Sequence, residues 1–290
     1  MMKKYLLVLM LSPLFVFAQS DSTATESTSL TKKEIRKARP HYFEIAFGSD
    51  ASKFRDFATS PLTYKGRTKL FTVSYLRYDE NRESNFYVKY NFGNYSIDNE
   101  KDPATASVKT VFVGYSRLYK LNKWSNEKWN YKVGGIFDLT GNMRDNPALQ
   151  NNSFGAEFFN TLFVSGKVTR DLSRKVNKDK KFLFIKYKRK PRKLWLSYRL
   201  NVSLMNNTFR NGYIYSNSSS TINHATIFSG YEMKFFSGFR MSAALDHTIE
   251  IKNGSQLRLS YLWDAYTTGG DYDTFVMAHH VLQASLLFNF

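Results

Sequence analysis

From His41 onward the chain places an apolar residue at nearly every second position, and this period of two restricts it to strands whose two faces meet unlike surroundings. Between Trp129 and Thr140 one face carries Trp129, Tyr131, Val133, Gly135, Phe137 and Leu139, and the other carries Asn130, Lys132, Gly134, Asp138 and Thr140. The split recurs from Leu194 to Met205 and from Phe86 to Gly93. Helical spacing would scatter the same residues around a cylinder. Further strands are expected near 41–48, 67–78, 106–119, 155–169, 223–236, 239–251, 256–266 and 275–290, which brings the number to eleven. Polar stretches such as Asn142–Ser153 and Asn206–Asn223 connect them.

One hairpin can be read in register. A three-residue loop Asn253-Gly254-Ser255 sets Ile251 against Leu257, Ile249 against Leu259 and His247 against Tyr261, and pairs Glu250 with Arg258 and Thr248 with Ser260 on the other side. A two-residue Asn-Gly loop would mix apolar and polar faces.

The apolar faces suit lipid and the polar faces suit an enclosed wet interior. Strands in hydrocarbon must pair all their backbone groups with neighbours and leave no edge, so closure into a barrel is compulsory. The expected fold is therefore all-β, a closed antiparallel transmembrane barrel. The alternative is a soluble exported β-sandwich whose apolar faces meet in a core. If both termini lie on one side, the strand number must be even, which eleven is not. Either Phe182–Lys188 adds a twelfth strand, or His41–Phe47 leaves the wall and ten remain; about twelve is the favoured number and ten the alternative.

Aromatics make up 17% of the chain, matching the girdles that barrels place at both membrane interfaces. The sequence begins with Lys3-Lys4, an apolar run from Tyr5 to Phe17, and Val16-Phe17-Ala18 ahead of Gln19, the plan of a secretory signal peptide cleaved after Ala18. The alternative of an uncleaved anchor asks for a longer run than this one. With no cysteine, neither lipid attachment at a leader cysteine nor disulfides are available. Residues 19–39 are polar and repetitive and read as a flexible tail, with a short helix near 31–38 as the alternative, while 40–290 form the barrel.

The last stretch sets Leu282, Ala284, Leu286, Phe288 and Phe290 on one face against Gln283, Ser285 and Asn289, and stops on an aromatic residue. It resembles the last strand of bacterial outer-membrane β-barrel proteins. That resemblance implies a home in the outer membrane of a Gram-negative bacterium, and implies that Leu286, Phe288 and Phe290 form the signal read by the barrel-assembly machinery. No narrower family is assigned.

Five histidines invite a search for chemistry. Asp246 and His247 are neighbours on one strand and point to opposite faces, so they cannot form a relay. His279 and His280 likewise split between faces, a poor geometry for one metal. No G-x-S-x-G and no His-x-Ser pair like that of barrel phospholipases occurs, which leaves His279 with Asp273 as the weak enzymatic alternative and no cofactor. The inward face carries Lys89, Lys132, Asp138, Glu157, Lys167, Arg199, Glu232, Lys234, Asp246, Glu250, Arg258 and Asp264. These charges either pair and fill the interior or line a small selective channel.

The net charge of +18 points to anionic partners, for an exported chain outer-membrane lipid and lipopolysaccharide phosphates more readily than nucleic acid. Its densest part, Arg174–Lys193, includes Lys180, Lys181, Lys186, Lys188, Arg189, Lys190, Arg192 and Lys193. It is either a solvated loop or a phosphate contact, with lipopolysaccharide if outside and with a periplasmic protein partner if inside. The functional expectation is a small porin-like channel or structural membrane component. An accessory subunit of an export or assembly complex is the competing class.

Overall fold

The alternating pattern folds into thirteen strands in a computed structural model that describes residues 39–97, 104–182, 184–189, 191–211, 231–271 and 273–290. They are β1 (His41–Asp56), β2 (Ser60–Tyr78), β3 (Arg82–Ser96), β4 (Thr105–Lys120), β5 (Trp129–Asp145), β6 (Phe154–Asp171), β7 (Lys178–Phe182), β8 (Ile185–Arg189), β9 (Leu194–Asn211), β10 (Tyr231–Lys234), β11 (Phe239–Glu250), β12 (Gln256–Thr268) and β13 (Phe275–Asn289). The segments expected to be a signal peptide and a flexible tail lie, but for Arg39, outside the described residues.

Ten strands make a closed antiparallel wall in the order β1 to β6, β9, β11, β12, β13 and back to β1. The seam runs from Tyr42 opposite Asn289 to Asp56 opposite Phe275, and every strand pairing in the wall is antiparallel. The wall therefore has the alternative number, ten instead of twelve. The route to ten differs from the expected one. His41–Phe47 belongs to the wall, because β1 closes it against β13. The 178–189 segment forms its own β7–β8 hairpin beside the wall, while β6 pairs directly with β9 from Phe158–Phe209 to Asp171–Trp195. Of the strand expected over 223–236, the described part is β10, four residues paired only to the end of β9.

With an even number, the first residue of β1 and the last of β13 share one end of the barrel, here the terminal end, and the opposite end is the far end. The β7–β8 hairpin, entered from the end of β6 and left at the start of β9, also lies at the terminal end.

Side chains alternate across the wall as the pleat dictates. Outward positions such as Phe47, Phe86, Val111, Leu139, Leu200, Leu259 and Leu286 are exposed, whereas Glu44, Asp50, Thr72, Asn142, Ser165 and Gln283 are buried within. A folded chain that exposes its apolar residues and buries its polar ones is turned toward hydrocarbon, and closure satisfies its backbone there. No helix among the described residues is long and apolar enough to cross a membrane.

Two irregularities shift residues from their expected places. The β11–β12 pairing sets Ile249 opposite Leu257 and Glu250 opposite Gln256, so the three-residue loop is Lys252-Asn253-Gly254, one position earlier than the pattern suggests. The turn needs left-handed backbone, which Asn253 (φ 61°) and Gly254 (φ 72°) supply, and the Ile251 N–H donates to the Ser255 carbonyl at 2.8 Å. Because each partner moves by two positions, both faces keep their character. In β9, Leu162 lies opposite Met205 but Phe163 lies opposite Ser203, so Leu204 is an extra residue that reverses the phase beyond it. Asn206, Thr208 and Arg210 consequently turn inward and are buried.

Candidate functional site

The site is the lumen, and what fills it follows from which inward residues lack an apolar partner. At the far end Phe54, Tyr64, Tyr95, Phe159, Tyr266, Phe275 and Met277 pack together. The rings of Phe159 on β6 and Tyr266 on β12 lie 4.7 Å apart, although two wall strands, β9 and β11, separate these elements. Beside this cluster, Asp56 accepts from Arg144 at 2.5 Å and from Arg210 at 2.7 Å, and Arg144 also binds Glu157. Arg210 donates to the Asp273 carbonyl, and Lys234 meets the Asp273 carboxylate at 2.7 Å. Three acids thus meet three bases, and the guanidiniums of Arg144 and Arg210 lie over the Phe275 ring at 5.1 Å.

Midway along, Arg240 bridges Asp138 at 2.9 Å and Asp264 at 2.6 Å. Tyr87 donates to Asp138 at 2.6 Å across Gly114, the residue between them on the same rung, where a Cβ would collide with the Tyr87 ring. Asp50 accepts from Thr68 and Asn91 and lies 2.7 Å from His279 Nδ1. A cavity of about 150 Å³ lies among these groups. Nearer the terminal end Glu83 gathers Lys167 at 2.8 Å, Arg199 at 2.9 Å and Lys132 at 3.8 Å, and Arg258 reaches Glu44 at 3.4 Å. Beyond Glu83 the interior widens into a vestibule of about 940 Å³ at the terminal end, lined by Tyr78, Trp129, Lys132, Trp195, Asp246 and Glu250 among others.

In the turn between β2 and β3, burial pushes the Asp79 carboxyl up, but the N–H groups of Asn81 and Arg82 and the Arg39 guanidinium outweigh it and hold it below its ordinary value. The Asp273 carboxyl, in the loop before β13, is likewise raised by burial and held low on balance by Lys234 and the Gly270 N–H.

Of the residues expected inside, Lys89, Lys132, Asp138, Glu157, Lys167, Arg199, Asp246, Glu250, Arg258 and Asp264 occupy inward positions of wall strands. Glu232 lies on β10, which is not one of the ten wall strands; it is exposed there, on the same face as its register partner, the inward Arg210. Lys234 on the same strand turns to Asp273 at the far rim. His279 is bonded to Asp50, and Asp273 to Lys234 and Arg210, so the two residues of the enzymatic alternative have different partners. His247 faces outward while Asp246 faces in. Among the basic residues, Lys193 pairs with Glu250 at 3.1 Å, Arg192 bridges backbone to backbone with Arg174, and Lys180, Lys181, Lys186, Lys188 and Arg189 lie in the β7–β8 hairpin at the terminal end; Lys190 lies outside the described residues. Leu286 and Phe288 face outward on β13, and the Phe290 ring lies 6.0 Å from His41.

The list of inward charges missed Glu44, Asp50, Asp56, Glu83, Arg144, Arg210 and Arg240. Arg144 continues the phase of Asp138 past the expected strand end at Thr140, and Arg240 shares the phase of Asp246 within the expected 239–251 strand, so following the alternation through to both ends would have found them. Arg210 is concealed by the extra residue at Leu204.

No protein-family model matches the chain, and no curated protein does. Among solved structures, the transport unit of the autotransporter AIDA-I from Escherichia coli is 10% identical, with 90% of this chain and 92% of that one covered and a TM-score of 0.41. The translocator domain of the autotransporter NalP from Neisseria meningitidis is 10% identical over 87% and 88% with a TM-score of 0.38, and an outer membrane channel from Pseudomonas putida F1 is 9% identical over 93% and 100% with a TM-score of 0.34. At such scores these likenesses carry no argument about this chain. The reading of the wall as membrane-spanning rests on its closure and its apolar exterior.

Proposed function

We propose that the chain is an outer-membrane barrel that does not conduct in this conformation and presents a charged vestibule and a basic hairpin to the periplasm, as a structural component or the accessory subunit of a larger assembly. The observation that carries this reading is the far-end plug. Aromatic rings and the Asp56–Arg144–Glu157–Arg210–Asp273 network join strands on different sides of the lumen, and a path for solute would have to part them. Buried ion pairs are costly to break one partner at a time, at about 3–5 kcal/mol. Mixed charge in a narrow interior therefore acts here as filling.

The supporting scheme runs as follows. Residues 1–18 export the chain and are removed, 19–39 form a periplasmic tail, and 40–290 assemble through recognition of Leu286, Phe288 and Phe290 by the barrel-assembly machinery. The terminal end then faces the periplasm, so the 174–193 segment meets a periplasmic protein partner and not the cell exterior. No nucleic acid and no cofactor is required by this scheme.

Planar-bilayer recording tests the reading. The wild-type protein should give no steady conductance steps, whereas Phe275→Ala combined with Arg144→Ala should produce them. Stable single-channel steps from the wild type would overturn the closed reading and favour the porin-like channel.

A further inference from the structure

The outer wall at the far end of β1, β2 and β4 carries Lys53, Arg55, Lys65, Arg67, Lys69 and Lys109. Lys53 and Lys65 are direct cross-strand partners, and Lys65, Arg67 and Lys69 are successive outward positions of one strand. Lys69 and Lys109 share a rung with Phe92 between them. Like charges set directly opposite destabilise a sheet, and neighbouring strands are only about 4.8 Å apart, so this face repels itself unless an anion lies on it.

Among the described residues no ion pair joins any of the six to an acid. Next to Lys53 and Arg55 in sequence, Asp50 and Asp56 are buried on the lumen side, and the outward acid Asp145 on β5 is only a diagonal neighbour of Lys109, so on the outer wall six cations face a single described acid at this end. Outward arginines at the opposite end are accommodated differently: Arg82 and Arg117 lie over Tyr119 at 5.5 and 5.4 Å, and Arg170 over Trp129 at 5.1 Å. Of the six far-end cations, among the described residues, Arg55 has such a ring, Phe57 at 4.5 Å.

One rung closer to the barrel middle the same strands present Phe47, Phe71, Tyr90 and Val111, with the Phe47 and Phe71 rings 5.0 Å apart. Along β4 the outward residues between Lys109 and Arg117 are Val111, Val113 and Tyr115, so an uncharged belt separates the two cationic levels. Eight residues at about 3.4 Å each, tilted by about 40°, span about 21 Å of membrane, close to the ~25 Å apolar band of such barrels. The six cations thus lie at headgroup depth directly above acyl-chain depth.

We propose that this face binds the headgroup of an outer-leaflet lipid bearing more than one phosphate, with its acyl chains lying on Phe47, Phe71, Tyr90 and Val111. Lys65, Arg67 and Lys69 hold the phosphates, since they form the row that Lys53 and Lys109 flank. A single phosphate would engage one or two of the cations and leave the rest opposed, so the arrangement selects for polyphosphorylated lipid. This inference rests on the proposed orientation, with the far end outside.

The test uses the full-length protein purified in detergent and titrated with mixed micelles containing a diphosphorylated glucosamine lipid, phosphatidylglycerol or neutral lipid, with inorganic pyrophosphate as competitor. The expected result is preferential binding of the diphosphorylated lipid, weakened at least tenfold in Lys65→Gln/Arg67→Gln/Lys69→Gln and unchanged in Arg82→Gln/Arg117→Gln. Millimolar pyrophosphate should compete only weakly, because it has no acyl chains; full competition would assign the site to free phosphate and overturn the lipid proposal. Equal affinity of the triple variant, or equal binding of phosphatidylglycerol, would overturn it as well. Arg67→Gln alone, expected to weaken binding by a smaller factor, replaces the triple variant if that fails to fold. Orientation is checked separately by labelling Ala58→Cys on intact cells with a membrane-impermeant thiol reagent. Absence of labelling would sink the orientation while leaving the in vitro affinity as its own result.

Discussion

At the scale of single residues, the lumen is organised by side chains that reach past their neighbours. Tyr87 attains Asp138 only because Gly114 leaves room on the rung between them. A methyl group there has to displace a buried ring, and overpacking of this kind costs about 1–3 kcal/mol. Gly114→Ala should therefore lower the denaturant midpoint of unfolding from detergent, while Gly166→Ala, where an added Cβ meets nothing within 4 Å, should not. Asp273 gives a pH dependence. Its carboxyl is held below the ordinary value chiefly by Lys234 and the Gly270 N–H against the opposing effect of burial, so its contribution is present above the unfolded-state pKa of about 3.9 and lost as pH falls through the lower folded value. Below about pH 4 the wild type should lose stability more steeply than Asp273→Asn, read as the folded fraction on unboiled gels across an acid series.

Elements show how a pattern survives or breaks. The wall strands run past the expected ends, β1 to Asp56 and β5 to Asp145, because the outward positions there, Ser49, Ala51, Lys53 and Arg55 on β1 and Gly141, Met143 and Asp145 on β5, are no longer uniformly apolar while the backbone keeps pairing. A reading keyed to apolar outward residues stops where lipid stops. The extra residue at Leu204 is the other break, since strict alternation puts Arg210 on the lipid side and the bulge returns it to the lumen. Deleting Leu204 should leave Arg210 inward and the barrel foldable, with heat-modifiable migration retained. Inserting one alanine between Asn206 and Asn207 should turn Arg210 outward, where a charge facing lipid costs up to about 2–4 kcal/mol in addition to the broken network, and the folded band should be lost.

For the molecule as a whole, closure is the decisive property, and it depends on one seam between segments more than two hundred residues apart in sequence. Ala46 and Ser285 face each other there, both buried. Directly paired antiparallel residues have Cα atoms about 4.5–5.5 Å apart, within disulfide reach, and the chain has no cysteine of its own. Ala46→Cys/Ser285→Cys should thus cross-link on oxidation, and the oxidised form should migrate faster after boiling than the reduced form. Failure to cross-link in the folded protein would contradict the seam.

The amino-acid sequence by itself determined the two-faced strands, the all-β class, the need to close and the inward side of ten of the twelve charges, because each of these follows from a period of two and from the insolubility of unpaired backbone in hydrocarbon. The strand number, the bulge at Leu204, the exact turn at Lys252–Gly254 and the partners of Asp56, Glu83 and Arg240 were decided only when the wall closed. Each depends on which residues meet across a lumen, and alternation along one strand carries no information about the strand on the other side.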